Sequence, residues 1–199
     1  MGEKYINLSS RCFFQNLPTY VDYFGILGAP KTVGGGGKRT YMRFAGGGTS
    51  VGADIGGLET VRENCAENFR QLRDFAPDRL SAAALETLRS ATRLFLQRQE
   101  RRISARLAEG HVRECHGDLH CGNVHRRDDG SLEVFDAIDF NPGLRWIDPI
   151  SEMAFLAMDL QVLGEPAAAA CLLNRWLECS GDYAGMDLWR WYSAYRAMV

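Results

Sequence analysis

The sequence predicts a mainly helical α+β fold over residues 58–199, preceded by a glycine-rich, poorly ordered arm over residues 1–57. Apolar residues recur at helical spacing through most of the second segment, and short β-type segments are confined to its middle. More than half of the 21 glycines fall in the first segment, including unbroken runs at 34–37 and 46–48, and no helical or alternating period persists there. The 199 residues, 46% of them hydrophobic, suffice for one sizeable core.

Composition also excludes several classes of protein. The formal net charge of −2 does not provide the basic surface that nucleic-acid binding requires, so we expect no nucleic-acid partner. We expect no membrane partner either, because no apolar run approaches the roughly 18 residues that span a bilayer. The N-terminus lacks the basic-then-apolar order of a signal peptide, which predicts a cytoplasmic location. The six cysteines form no C-x-x-C pair, and we expect them to be reduced.

The glycine-rich arm contains one segment that looks superficially like a phosphate-binding P-loop. It runs GGGGKRT over residues 34–40, but Thr32 stands where that motif requires glycine and Arg39 stands where it requires serine or threonine. We therefore interpret the segment as part of the arm. A short strand over residues 41–44 is the only regular element expected there.

Helices are predicted at the start of the second segment. Apolar residues spaced by three or four positions indicate a helix over residues 58–75, which Pro77 ends. A second helix is predicted over residues 78–108, with Gly110 as its stop. One apolar stripe of this second helix is predicted to consist of Ala84, Leu88, Ala91 and Phe95.

The middle of the chain changes period. Short strands are predicted over residues 111–115, 123–127 and 132–138. The last two are separated by DDGS, whose Asp-Gly step is a strong hairpin signal.

Three further helices are predicted toward the C-terminus. Asp148 followed by proline is typical of an N-cap and first helical position, and the helix over residues 150–163 is apolar nearly all round, which indicates deep burial. The next helix is predicted over residues 165–179, with Gly181 as its stop. The last begins near residue 187 and runs to the end of the chain, with an apolar stripe of Leu188, Trp191, Tyr192 and Tyr195.

The residues that carry chemistry lie in the middle segment. Residues 116–123 read HGDLHCGN, in which Asp118 precedes Asn123 by five positions, the spacing of a kinase catalytic loop. In such a loop the aspartate orients the acceptor hydroxyl and takes its proton, while the asparagine holds a metal ion beside the nucleotide phosphates. A further carboxylate from the next hairpin would grip the metal, and residues 135–140 read FDAIDF. Alone, an aspartate and an asparagine in such a loop are more often turn formers, but the ordered set favours a catalytic role.

These segments, together with WIDPISEMAFLAMDL, resemble the aminoglycoside phosphotransferase-like kinases. They look most like the phosphotransferase half of bacterial proteins that join such a domain to a C-terminal P-loop ATP-binding domain. The resemblance covers residues 58–199 and implies the helical C-terminal lobe of a protein-kinase-like fold, with short catalytic-loop hairpin strands. It also implies ATP as phosphoryl donor, Mg²⁺ as cofactor and a small-molecule hydroxyl as acceptor.

The resemblance implies a role for each residue of the motif. Asp118 would be the catalytic base, and Asn123 would be a magnesium ligand. Asp136 would be the metal-gripping carboxylate, with Asp139 as a close rival. We prefer Asp136 for its distance from Asn123 along the chain, although the sequence around Asp139 looks more like the family's local motif.

Two further residues would support the loop. His116 would bond backbone carbonyl groups, and Asp148 would cap the buried helix and brace the loop from beneath. The chain departs from the family over residues 1–57, which show neither alternating strands nor the phosphate-gripping lysine of a small N-terminal lobe. We therefore expect a truncated or atypical N-terminus. The alternative function is an impaired remnant of such a kinase that acts, if at all, as a binding module.

A zinc module is a third hypothesis. Histidine and cysteine side chains are dense around the loop, at Cys115, His116, His120, Cys121 and His125. Structural zinc sites usually draw paired ligands from two separate places, and no second pair occurs downstream. The magnesium interpretation is therefore preferred.

Overall fold

A computed structural model describes residues 55–75, 80–128 and 132–199. This part of the chain is mainly helical with a few short antiparallel strands, which confirms the expected fold class. The elements are α1 Leu58–Phe75, α2 Ala82–Ala108, β1 Arg113–Glu114, β2 Val124–Arg126, β3 Leu132–Val134, α3 Pro142–Arg145, β4 Trp146–Ile147, α4 Pro149–Val162, α5 Pro166–Ser180 and α6 Met186–Arg196. Most of the arm, the strand predicted over residues 41–44 and Pro77 lie outside the described residues.

The last residues assigned to the arm belong to the packed structure. Gly56 and Gly57 are buried. Gly56 has φ +81, and a Cβ there would lie 2.4 Å from the Trp146 carbonyl oxygen, so no side chain fits at this position. Glycine is therefore required at Gly56 by close packing as well as by backbone conformation. α1 follows directly and has the predicted bounds.

Helix α2 differs from the prediction at its start and on its inner face. It begins at Ala82, after the predicted start at residue 78, because the Ser81 hydroxyl accepts a hydrogen bond from the Ala84 N–H at 3.2 Å and caps the helix. The predicted stripe is only partly packed, since Phe95 packs against the core whereas Ala91 is exposed. The buried residues are Thr92, Leu96, Ile103 and Arg106. Apolar residues are spread around α2, so periodicity alone does not identify the packed face.

Four short strands form two antiparallel pairs within the described residues. β2 and β3 form the predicted hairpin, with Val124 opposite Val134; most of its connecting turn lies outside those residues. β3 ends earlier than predicted. β1 pairs instead with β4, a strand that was not predicted, and Glu114 lies opposite Trp146. This second pair places the two ends of the central segment side by side.

Helix α4 is the centre of the fold. It is buried along most of its length, as its composition predicted, and it packs against both α5 and α6. α5 ends where predicted, at Gly181 with φ +69. α6 buries the predicted stripe but ends at Arg196 rather than at the end of the chain. Among the described residues, none of the helices combines the length and apolarity needed to span a bilayer.

Candidate active site

The loop that carries the motif connects β1 to β2, and its path depends on Gly117. This residue has φ +88, and a Cβ there would lie 2.8 Å from the Leu144 carbonyl oxygen and 3.1 Å from Ile138 Cδ1. Any side chain would meet backbone atoms that cannot move aside easily. The glycine of the HGD motif therefore lets the loop lie against the segment that precedes β4.

Two carboxylates of α4 hold the loop from beneath. Glu152 is completely buried; its Oε2 accepts the Gly117 N–H at 3.0 Å, and its Oε1 accepts the Leu119 N–H at 3.2 Å. Asp159 Oδ2 accepts the Cys121 N–H at 2.7 Å. The two acids are seven residues apart, about two helical turns, and so lie on one face of α4. That face of α4 therefore accepts hydrogen bonds from alternate N–H groups of the loop, those of residues 117, 119 and 121.

A buried cation completes this support. Arg196, on α6, donates from Nη1 to the Gly117 carbonyl oxygen at 2.7 Å and from Nε to Ser151 Oγ at 3.0 Å. Its guanidinium lies 5.2 Å from the centre of the Phe155 ring, which gives it a cation–π contact. The loop is thus held at its N–H groups by carboxylates and at one carbonyl by a guanidinium.

Sequence reasoning did not identify these three supporting residues. For Glu152 a signal was available, because it stands in the most apolar part of a mainly apolar helix. A charged residue in such a helix must find buried partners to offset the cost of its desolvation. For Arg196 there was no comparable signal, because it lies far along the chain from the loop that it binds.

His116 links the loop to the segment after β3. Its ring is completely buried, and Nδ1 accepts the Asp118 N–H at 3.3 Å. The proton of the neutral ring is therefore on Nε2, which donates to the Phe135 carbonyl oxygen at 2.7 Å. The His116 carbonyl also accepts the Ile138 N–H at 3.0 Å. His116 thus makes the backbone contact that its position in the motif implied.

Asp118 and Asn123 are in direct contact. Asn123 Nδ2 donates to the Asp118 carbonyl oxygen at 2.9 Å and to Asp118 Oδ2 at 3.3 Å. Asn123 is buried at 7% exposure, whereas the side chain of Asp118 is 37% exposed. No hydrogen bond from a described residue reaches Oδ1 of either side chain. The pair therefore presents two oxygens that are available to a ligand.

Asp136 and Asp139 lie on the exposed segment after β3. The Phe135 N–H donates to the Asn123 carbonyl oxygen at 3.1 Å, which places Asp136 one residue from a backbone contact with Asn123. Asp136 has φ +61, and within the described ranges it is the single non-glycine residue with a positive φ. Asp139 follows Ile138, which is itself bound to the loop. Both aspartates are thus tied to the loop through their neighbours, and the choice between them as metal ligand stays a prediction.

Asp148 has a different structural role from the brace that was expected. Its Oδ1 accepts the Ile150 N–H at 3.2 Å and so caps α4. Arg106 binds the same carboxylate from Nε at 2.5 Å and from Nη2 at 2.9 Å, and Arg106 Nη1 binds Asp182 at 3.0 Å. The brace expected of Asp148 therefore belongs to Glu152, because Asp148 pairs with α2 instead.

The two thiols of the loop, those of Cys115 and Cys121, are buried inside the fold. Cys115 Sγ contacts the Ile147 carbonyl oxygen at 3.7 Å, and burial raises the pKa of the Cys115 thiol well above its usual value. Burial and the neighbouring Asp159 also raise the pKa of Cys121. Zinc binds cysteine as thiolate, which these surroundings disfavour. In the part of the chain that the structure covers, no three histidine, cysteine, aspartate or glutamate side chains gather to hold a metal.

The oxygens at the site have the chemistry that Mg²⁺ prefers. Mg²⁺ takes hard oxygen ligands, commonly one or two from protein, and completes its shell with water and phosphate oxygens. The Asn123 amide oxygen fits such a role, since its Nδ2 donates to Asp118 and its Oδ1 receives no hydrogen bond from the described part of the chain. A carboxylate from Asp136 or Asp139 would supply the second protein ligand.

Comparison with known proteins finds relatives in mycobacteria. Uncharacterized proteins of Mycobacterium bovis and of two Mycobacterium tuberculosis strains are each 31% identical to this chain over 144 residues, or 72% of its length. The chain spans only 29% of the length of these relatives. No protein-family profile matches it, and no solved structure matches it.

Proposed function

We propose that this chain carries the catalytic lobe of an ATP- and Mg²⁺-dependent phosphotransferase of the aminoglycoside phosphotransferase-like kind. It would move the γ-phosphoryl group of ATP to a hydroxyl group of a small molecule. The observation that carries the proposal is the contact between Asp118 and Asn123 on a loop that is fixed from beneath. The order of elements supports it too, since the loop, a hairpin and a buried helix follow one another as the family resemblance implies.

Asp118 would orient the acceptor hydroxyl and take its proton. Its Oδ2 is held by the Asn123 amide, so Oδ1 is the oxygen left to accept the hydroxyl. The side chain is partly exposed, which allows an acceptor to approach. General-base catalysis of this kind typically contributes about 10²- to 10⁴-fold to a rate.

Asn123 and one aspartate of the next segment would hold the metal. Bound Mg²⁺ would supply positive charge to the phosphate oxygens, and in phosphoryl transfer such electrostatic stabilisation is most of the catalysis. Asn123 is suited to this because its Nδ2 is bound by two Asp118 oxygens. Its own oxygen must then face away from them.

A complete enzyme of this kind needs further parts. The family resemblance implies a small N-terminal lobe with a phosphate-gripping lysine, and a C-terminal P-loop domain in longer proteins. The mycobacterial relatives are more than three times as long as the matched segment, which leaves room for both. The cytoplasmic location expected from the sequence is part of this proposal.

The first experiment is calorimetric titration of the full chain with ATP, with and without Mg²⁺. We expect binding that requires Mg²⁺, and we expect Asn123→Ala to weaken this Mg²⁺-dependent binding. Asp136→Asn and Asp139→Asn decide between the two aspartates, because only the metal ligand should weaken Mg²⁺-dependent binding. Asp128→Asn, on the exposed end of the hairpin, is the matched control.

The second experiment measures ADP release from MgATP, with water or a panel of small polyols and amino alcohols as acceptor. Asp118→Asn should keep nucleotide binding but lower the turnover rate by about 10²-fold or more. Unchanged turnover in this variant would remove Asp118 from the mechanism. Absence of Mg²⁺-dependent ATP binding in the unaltered chain would contradict the proposal and favour the impaired remnant.

A further inference from the structure

The ring of His120 is fixed in the loop beside Asp118. Its Nδ1 accepts the Gly122 N–H at 3.1 Å, and its ring centre lies 5.8 Å from that of Phe155. A Cβ on Gly122 would lie 2.7 Å from the His120 Cε1 atom and 2.9 Å from its Nδ1. The glycine at residue 122 therefore makes room for the imidazole.

The bond from Gly122 decides which nitrogen of His120 carries the proton. Nδ1 uses its lone pair to accept that N–H, so the proton of the neutral ring is on Nε2. Nε2 lies 3.7 Å from Asp118 Oδ2. The N–H of His120 and the amide of Asn123 thus both lie close to the same carboxylate oxygen.

We infer that His120 is a positioning residue for Asp118, an inference that rests on the proposed phosphotransferase function. The imidazole Nε2–H and the Asn123 Nδ2 both attract Asp118 Oδ2. The carboxylate is then held in the orientation that leaves Oδ1 for the acceptor hydroxyl. His120 does not itself touch the acceptor or the phosphates in this arrangement.

A purely structural role for His120 is the competing explanation. The residue caps the short 3₁₀ turn Cys121–Asn123 through its Nδ1, and this cap needs no proton on Nε2. The two roles therefore use different nitrogens of one ring. Substitutions that keep one nitrogen and remove the other can separate them.

His120→Asn keeps an acceptor for the Gly122 N–H but removes the donor that faces Asp118. His120→Gln places an amide N–H close to the position of Nε2. We expect the first variant to lower kcat for MgATP turnover by about 10- to 100-fold, the usual effect of a misplaced catalytic group, with little change in KM for MgATP. His120→Gln should retain at least a third of the kcat of the unaltered chain.

The matched control is His125→Asn, which changes an exposed histidine on β2 and should leave kcat within twofold of the unaltered chain. If His120→Asn also stays within twofold, or if His120→Gln is no better than His120→Asn, the inference is overturned. An unfolded variant would be recognised by its circular dichroism. In that case Gly122→Ala, which displaces the ring without removing it, replaces His120→Asn and should lower kcat by a similar factor.

A spectroscopic measurement separates this inference from the proposed function. Nitrogen-15 NMR of the full chain should show the Nε2-protonated tautomer of His120, and Asp118→Asn should shift its Nε2 resonance while the His125 resonances stay unchanged. If the unaltered chain shows no Mg²⁺-dependent ATP binding, the proposed function fails but this test of the contact still applies. An Nε2 resonance that does not respond to Asp118→Asn overturns the inference, whether or not the chain is active.

Discussion

Replacing Glu152 by glutamine removes the carboxylate that lies under the loop of residues 116–123 and changes little else in shape. Glu152 is completely buried, and its two oxygens accept the N–H groups of Gly117 and Leu119. A glutamine can offer one oxygen only. Its NH₂ group would take the place of the other oxygen and face a backbone N–H. Both groups are hydrogen-bond donors, so that hydrogen bond would be lost.

The cost follows from these two contacts. A hydrogen bond to a charged group contributes about 1.5–3 kcal/mol, and a buried polar group left unsatisfied costs about 1–3 kcal/mol. The two quantities describe partly the same loss, so we expect Glu152→Gln to lower the free energy of unfolding by about 2–4 kcal/mol in total. At 1.4 kcal/mol for each factor of ten, the folding equilibrium changes by about 30- to 700-fold.

Urea denaturation followed by circular dichroism measures this free energy, and an unchanged m-value would show that the unfolded state is comparable. Glu63→Gln is the matched control, because it makes the same substitution at an exposed position of α1. Hydrogen exchange of peptides that cover residues 116–123 should also become faster in Glu152→Gln alone. An unfolding free energy equal to that of the Glu63→Gln control, with unchanged exchange in the loop, would refute the reasoning.

Three further predictions concern the support of the site. Gly117→Ala should lower the free energy of unfolding by about 1–3 kcal/mol more than Gly164→Ala. Both glycines have a positive φ, but of the two only Gly117 has backbone atoms within reach of a Cβ. Equal free energies of unfolding for the two variants in urea denaturation would contradict this. Arg106→Ala should cost about 3–5 kcal/mol, since it leaves buried carboxylates unpaired, whereas Arg175→Ala at an exposed ion pair should leave the melting temperature almost unchanged. Burial opposes the ionisation of Asp182, but Arg106 outweighs it and holds the pKa of that carboxyl below its usual value. This stability is present above the unfolded pKa of about 4 and is lost as pH falls through the lower folded pKa, so Asp182→Asn should flatten the pH dependence of unfolding between about pH 5 and pH 2.

The elements that the sequence predicted best are those set by local signals. α1 and α4 have strong local patterns, since α1 has an apolar stripe at helical spacing and α4 has an aspartate cap followed by proline. The β2–β3 hairpin has a turn signal and a contact close in sequence. By contrast, β4 is two residues long and pairs with β1 across more than thirty residues. Strands of two residues have no alternation to detect, and their pairing is decided by tertiary packing.

The same division applies to the site. Asp118 and Asn123 were identified because their spacing is local and their contact closes within one loop. Glu152 and Arg196 act on that loop from helices α4 and α6, more than thirty residues along the chain, so their contacts with it depend on tertiary packing. The expected brace was assigned to Asp148, whose helix-cap signal was correct but whose partner on α2 was not visible in the sequence.

The support from α4 also explains why Asp118 and His120 are presented together. Burial alternates along the loop, so that Gly117, Leu119 and Cys121 are buried while Asp118 and His120 are partly exposed. The N–H groups of the three buried residues all point to carboxylates on one face of α4. With these odd-numbered residues held against α4, the even-numbered residues Asp118 and His120 keep their side chains partly exposed. The spacing of two between the aspartate and the histidine is therefore the spacing that places both on the open side of the loop, within 3.7 Å of each other.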